Sequence, residues 1–120
     1  MLMASLAVFT LVAIMGLTIV FDVWRGQSVG SFYPRLHGGA ALLGSALVIG
    51  AALQGDTRLY VNIALAVVII VLGVVMGVTA EKGKQVPKPI IFTHVSLAII
   101  CYLILAFFAF NPRATLPIAV

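Results

Sequence analysis

The chain contains two histidines, His37 and His94, and each stands at the start of a long apolar segment. An ionisable side chain at membrane depth is costly, so it marks a functional position by default. Two imidazoles at the same end of two parallel segments have the chemistry to grip one flat cofactor from both faces. Residues four and seven further along a helix share a face with the residue they follow. From His37 these are Ala41 and Gly44, and from His94 they are Ala98 and Cys101. Each histidine therefore heads a stripe of small side chains, the kind of groove a porphyrin needs, and Gly38 and Gly39 thin the second segment further.

Haem iron is held axially by histidine in membrane and bundle cores. Neutral imidazole suits that role, with each ligand's other nitrogen finding its own partner. Arg35 and Lys88 lie just outside the two histidines, where they could neutralise propionates. Tyr33 and Thr93 are further hydrogen-bonding candidates there. Two other uses of the same residues stay open. Small residues after a membrane histidine also suit close helix packing, and a histidine near the interface can be solvated or can contact a quinone. Zinc and copper lack support: Cys101 is two turns below His94, no carboxylate sits beside either histidine, and a zinc site wants three or four protein ligands.

The elements that must position these residues follow from composition. Of the 120 residues, 63% are hydrophobic and only 8% charged, unlike any ordinary soluble domain. A spanning helix needs about 20 mostly apolar residues. Four such stretches are present, at about 2–21, 36–53, 59–80 and 90–110. In lipid every backbone polar group must be satisfied internally, so these are expected as helices. The expected fold is an all-α membrane protein, one domain over 1–120, with four transmembrane helices in an up-down bundle. The first segment lacks a basic leader and a small-residue cleavage site, so it reads as a retained helix rather than a secretory signal. Polar, turn-rich residues separate the segments, and breaks at Pro112 and Pro117 follow the last one.

The net charge of +4 is spread over short loops without a basic-aromatic cluster, which points to lipid rather than nucleic acid. Arg25, Arg35, Lys82, Lys84 and Lys88 fall in the first and third connections, whereas the other side carries Arg58 and Arg113. The positive-inside bias then places loops 22–35 and 81–89 in the cytoplasm and both termini outside a cell (inner) membrane. The chain also reads as two copies of one helical hairpin. Met15-Gly16-Leu17-Thr18 resembles Met76-Gly77-Val78-Thr79, each is followed by an acid, Asp22 or Glu81, and each second helix begins with its histidine. A parallel repeat of this kind has its axis along the membrane normal.

On Leu36-His37-Gly38-Gly39 and Thr93-His94, within four helices, the chain resembles small membrane b-type cytochromes of the cytochrome b561 style and quinone-linked anchor subunits. The resemblance implies one bis-histidine b-type haem and an electron-transfer role beside other membrane or redox subunits. The b561-type proteins carry two histidine pairs for two haems, whereas this chain has one pair. It therefore holds at most one such haem and cannot carry electrons across the bilayer through haems alone, which points to a subunit of a larger complex. A cofactor-free structural or assembly subunit is the main alternative, with Gly16, Gly44, Gly73 and Gly77 as packing positions. A small transporter is the third, but helix one has no acid before Asp22. No nucleophile-base pair, phosphate loop or acid pair supports an enzyme in its own right; any catalysis would belong to partners of an oxidoreductase complex.

Overall fold

The computed structural model describes residues 1–27 and 29–114. Ser28 and the tail from 115, Pro117 included, lie outside the described residues. Four α-helices follow one another: α1 (Leu2–Trp24), α2 (Phe32–Leu53), α3 (Tyr60–Glu81) and α4 (Lys88–Phe110), with a short 3-10 turn over Thr57–Leu59 leading into α3. All four are long and apolar enough to cross a membrane. The molecule measures 45 × 24 × 20 Å, so its long axis matches a bilayer of about 40–45 Å with its headgroups. Large apolar side chains such as Leu11, Leu42, Val67, Val74 and Leu103 stand exposed around its perimeter. Water does not tolerate that much contiguous apolar surface, but lipid does.

Three helix ends differ from the expected ones by two residues or more, and α3 is shifted by one. α1 continues through Asp22 to Trp24, and α2 and α4 begin earlier, at Phe32 and Lys88. An apolar run marks where hydrocarbon ends, whereas a helix continues as long as its backbone is satisfied. Pro34 and Pro89 do not interrupt this, because the first-turn N–H groups of a helix have no internal partner anyway. One consequence is that His37 sits more than a turn inside α2 and is half-buried rather than solvated at its mouth.

The four helices form two hairpins. α1 packs on α2 and α3 on α4, while α1 also meets α4 and α2 meets α3. Exchanging the hairpins maps each of these contacts onto another. A shift of 57 residues pairs Gly16 with Gly73 and His37 with His94, and in this register the two hairpins match. This corrects the Met-Gly-x-Thr match, which aligns Gly16 with Gly77 instead. The ends of α1 and α3 follow the same register. Gly26 and Gly83 both take left-handed φ values, 72° and 73°. Around Gly26, Gln27 N–H donates to Asp22 O and Gly26 N–H to Val23 O; around Gly83, Lys84 N–H donates to Thr79 O and Gly83 N–H to Ala80 O. Both are Schellman caps, in which glycine reverses the chain at no side-chain cost.

The buried core lies at the end of the bundle remote from these caps. Leu6, Val48, Leu59, Leu105 and Phe108 form it, with Leu59 and Phe108 at 0% and 1% exposure. Arg58 seals that end. Its guanidinium bonds both carboxylate oxygens of Asp56 at 2.8 and 2.9 Å and the carbonyls of Asn111 and Ala114 at 2.9 and 2.8 Å. It also stacks over the Phe108 ring at 4.7 Å. The Arg58 guanidinium holds the Asp56 carboxyl below the usual carboxylate range. A carboxylate depressed in the folded state stabilises the fold at neutral pH, and that contribution is lost as pH falls through the depressed value. The detergent-solubilised protein should therefore lose thermal stability below about pH 4. Asp56→Asn should be less stable than the wild type at pH 7, and the gap should close in acid.

By contrast, Arg35 and Glu81 pair at 2.7 Å on an exposed rim between α2 and α3. Exposed pairs contribute about 0–1 kcal/mol.

Candidate functional site

Both histidine rings seat on a glycine of their own hairpin partner. A Cβ at Gly16 of α1 would fall 2.9 Å from His37 Cε1, and one at Gly73 of α3 would fall 3.2 Å from His94 Cε1. The two glycines are repeat mates, as are the two histidines. Glycine is needed at both positions because only a side chain of one hydrogen lets an imidazole approach the helix backbone this closely.

Each ring has a backbone carbonyl of its hairpin partner beside it. His94 Nδ1 lies 2.9 Å from the carbonyl oxygen of Ile69, one turn from Gly73. A carbonyl only accepts, so Nδ1 carries the hydrogen and Nε2 keeps its lone pair. That is the arrangement of a metal-ligating histidine whose far nitrogen is fixed by a backbone acceptor. The repeat mate of Ile69 is Val12, whose carbonyl lies toward His37. His37 Nδ1 is buried beside that carbonyl.

The small residues below each histidine do not form the expected groove. Gly44 is buried under the Phe9 ring of α1, whose Cε2 would lie 2.9 Å from a Cβ there. Cys101, its repeat mate, faces Asn62 of α3: Asn62 Nδ2 donates to Cys101 O at 3.0 Å and approaches Cys101 Sγ at 3.5 Å. Both positions serve packing within a hairpin, because a helix pair that must bring its backbones together spends its small residues on that contact. Ala41 accepts a bond from Ser45 Oγ through its carbonyl at 2.8 Å and is half-buried, as is Ala98.

The residues expected outside the histidines are also engaged. Arg35 is held by Glu81 through Nε and Nη2, and Lys88 Nζ lies 5.4 Å from the Trp24 ring centroid. Trp24 and Glu81 are repeat mates, so each hairpin closes with a basic residue of its second helix over the last residue of the other hairpin's first helix. The Thr93 hydroxyl donates to Pro89 O at 2.8 Å, and Tyr33 is half-buried. Of the four packing glycines, Gly16, Gly44 and Gly73 are consumed inside the chain. Gly77 has nothing within 4 Å.

No fully buried side chain lies above Met15 in α1, above Gly44 in α2, or in the corresponding halves of α3 and α4, among the described residues. The protein is thus tightly packed at the Arg58 end and half-buried throughout the histidine end. Two shallow, open depressions lie elsewhere: one at Phe110–Ala114, the other along α1 beside Leu17 and Phe21. Comparison with protein-family models, with curated proteins and with solved structures finds no match.

Several polar groups inside the bundle carried no chemical signal in the sequence. Thr10 Oγ1 and Tyr102 Oη are 2.7 Å apart and link α1 to α4, while the threonine also donates to Leu6 O. Such interhelical bonds in membrane proteins contribute about 0.6–2 kcal/mol. Ser5 and Asn62 are repeat mates, both nearly inaccessible at 0% and 2%, and Ser5 Oγ and Asn62 Oδ1 have no partner among the described residues. The shift of 57 residues pairs them in the sequence, but only after Gly16 and Gly73 have established it.

Proposed function

We propose that this chain is a membrane electron-transfer subunit of a larger redox complex, with one b-type haem held between His37 and His94. The observation that carries the reading is the pair of repeat-related imidazoles, each pressed into a glycine notch, with His94 Nδ1 anchored to Ile69 O so that Nε2 is free to ligate. The donor set fits haem iron, which wants two neutral imidazoles and no carboxylate. The half-buried packing of the histidine end fits as well. When bound, the haem supplies one-electron transfer. The chain's part is to present two oriented imidazoles, to exclude water with its apolar perimeter, and to set the potential through the Ile69 hydrogen bond.

Arg35 and Lys88 are not needed as propionate partners in this reading, since Glu81 and Trp24 already hold them. The orientation proposed is the one from the basic loops. Arg25, Arg35, Lys82, Lys84 and Lys88 face the cytoplasm, and Arg58, already neutralised by Asp56, lies outside. One pair of histidines leaves a single haem on the cytoplasmic side, so electrons enter or leave through partner subunits or a quinone.

A second reading has its own observation. The same glycine notches make the two rings interhelical packing elements, and Phe9 over Gly44 and Asn62 on Cys101 seal each hairpin without any cofactor. On this reading the chain is a structural or assembly subunit. The absorption spectrum of protein purified from haem-replete cells separates the two. Soret and α bands in stoichiometric yield support the first; a colourless, folded protein overturns it and leaves the second.

A further inference from the structure

We infer that the two hairpins move as rigid halves, hinged at the Arg58 end and latched at the end that carries the Gly26 and Gly83 caps, so that the histidine end of the bundle opens and closes. The inference rests on neither reading of function, because it needs no occupant. Its ground is the uneven way the four helices are joined.

Within each hairpin the seam is closed along most of its length. In the first, a Cβ at Gly50 would fall 2.9 Å from Met1 Sδ, one at Gly44 2.9 Å from Phe9 Cε2, and one at Gly16 2.9 Å from His37 Cε1. These notches climb from the Arg58 end to the level of the histidine. In the second, Asn62 Nδ2 donates to Cys101 O, His94 Nδ1 to Ile69 O, and the His94 ring sits on Gly73. Helices packed that closely at successive levels separate only by losing all these contacts together.

Between the hairpins the joins are confined to the two ends. At the Arg58 end, Leu6, Val48, Leu59, Leu105 and Phe108 share one buried cluster, and the Thr10–Tyr102 hydrogen bond closes its rim. At the cap end, Arg35 of α2 holds Glu81 of α3, and Lys88 of α4 lies over Trp24 of α1. From Thr10 to Trp24, and from Tyr102 back to Lys88, is about 21 Å of helix. No side-chain hydrogen bond crosses between α1 and α4 over that stretch among the described residues.

Both cap-end joins are exposed: the Arg35 and Glu81 side chains at 69% and 49%, Trp24 at 73%. An exposed ion pair or cation–π contact biases an equilibrium by only about two- to fivefold, whereas parting the other end would open a packed core. The low-cost motion is therefore a splaying of the cap end about the Arg58 end. Each histidine travels with the glycine of its own hairpin, so opening carries the two rings apart while each stays seated.

Distances between spin labels on repeat-mate positions test this by double electron–electron resonance on the full chain in lipid nanodiscs. Cys101, the only cysteine, is replaced by serine, which keeps a hydrogen-bonding group beside Asn62. The cap-end pair Gln27→Cys/Lys84→Cys should give a shorter and a longer distance. Glu81→Gln and Trp24→Leu should each enrich the longer one by about two- to fivefold. The pair Met3→Cys/Tyr60→Cys at the other end should give one narrow distance that neither change moves. A single cap-end distance that ignores both changes overturns the hinge, and so does equal broadening at both ends. A second arm leaves Cys101 in place. Trp24 is the only tryptophan, so 5-fluorotryptophan labels it alone for fluorine NMR. Glu81→Gln, on the opposite seam, should shift its resonance; an unmoved resonance overturns the coupling of the two latches and the hinge with it.

Discussion

On the proposed haem reading, His94→Ala should strip the haem from protein purified from haem-replete membranes, with affinity lowered by more than about a hundredfold. The scale follows from coordination chemistry: losing a hydrogen bond to a ligand already costs about 10–100-fold in metal affinity, and this change removes the ligand itself together with its bond to Ile69. His37→Ala should likewise lower haem content, because one of the two proposed imidazole ligands is lost. Arg35→Ala serves as a control, since its partner is Glu81 on an exposed rim, and it should leave haem content unchanged. Pyridine haemochrome quantitation of each variant measures the effect. If His94→Ala retains full haem content, the histidine pair is not the ligand set.

The second large effect concerns the glycine notches. Gly16→Ala should destabilise the bundle by about 1–3 kcal/mol, the usual cost of forcing atoms into a packed site. The added Cβ would lie 2.9 Å from His37 Cε1, so the ring or the α1–α2 contact must shift to admit it. Gly73→Ala should cost less, because the corresponding distance to His94 is 3.2 Å and a small shift relieves it. Gly77→Ala should be neutral or stabilising by up to about 1 kcal/mol, since nothing lies within 4 Å and alanine is the better helix former. Denaturant unfolding in detergent gives the order. A damaging Gly77→Ala beside a harmless Gly73→Ala would reverse it and restore the Met-Gly-x-Thr register.

That reversal of register shows what periodicity and short motifs carry in a membrane chain. Met15-Gly16-Leu17-Thr18 and Met76-Gly77-Val78-Thr79 match because apolar, low-complexity segments repeat by composition. The pairing that matters is Gly16 with Gly73, His37 with His94 and Gly26 with Gly83. It is dispersed over two helices and a cap, and no short window contains it. Similarly, Gly44 and Cys101 do share the faces of their histidines along the helix. Helical spacing says which residues lie on one face, but not what covers that face. Phe9 and Asn62 cover it.

The sequence by itself determined the four helices, their up-down order, the loops that carry the positive charge and the two histidines as the groups of interest. Length, apolarity and the cost of burying charge in lipid decide those, and all are local or additive properties. Only the tertiary structure decided that each histidine belongs to a glycine of the preceding helix, that Arg35 belongs to Glu81, and that His94 is anchored to Ile69. Those depend on which backbone atoms come within a few ångströms across a helix interface. Packing at that distance is a property of pairs of helices, which no single stretch of chain records.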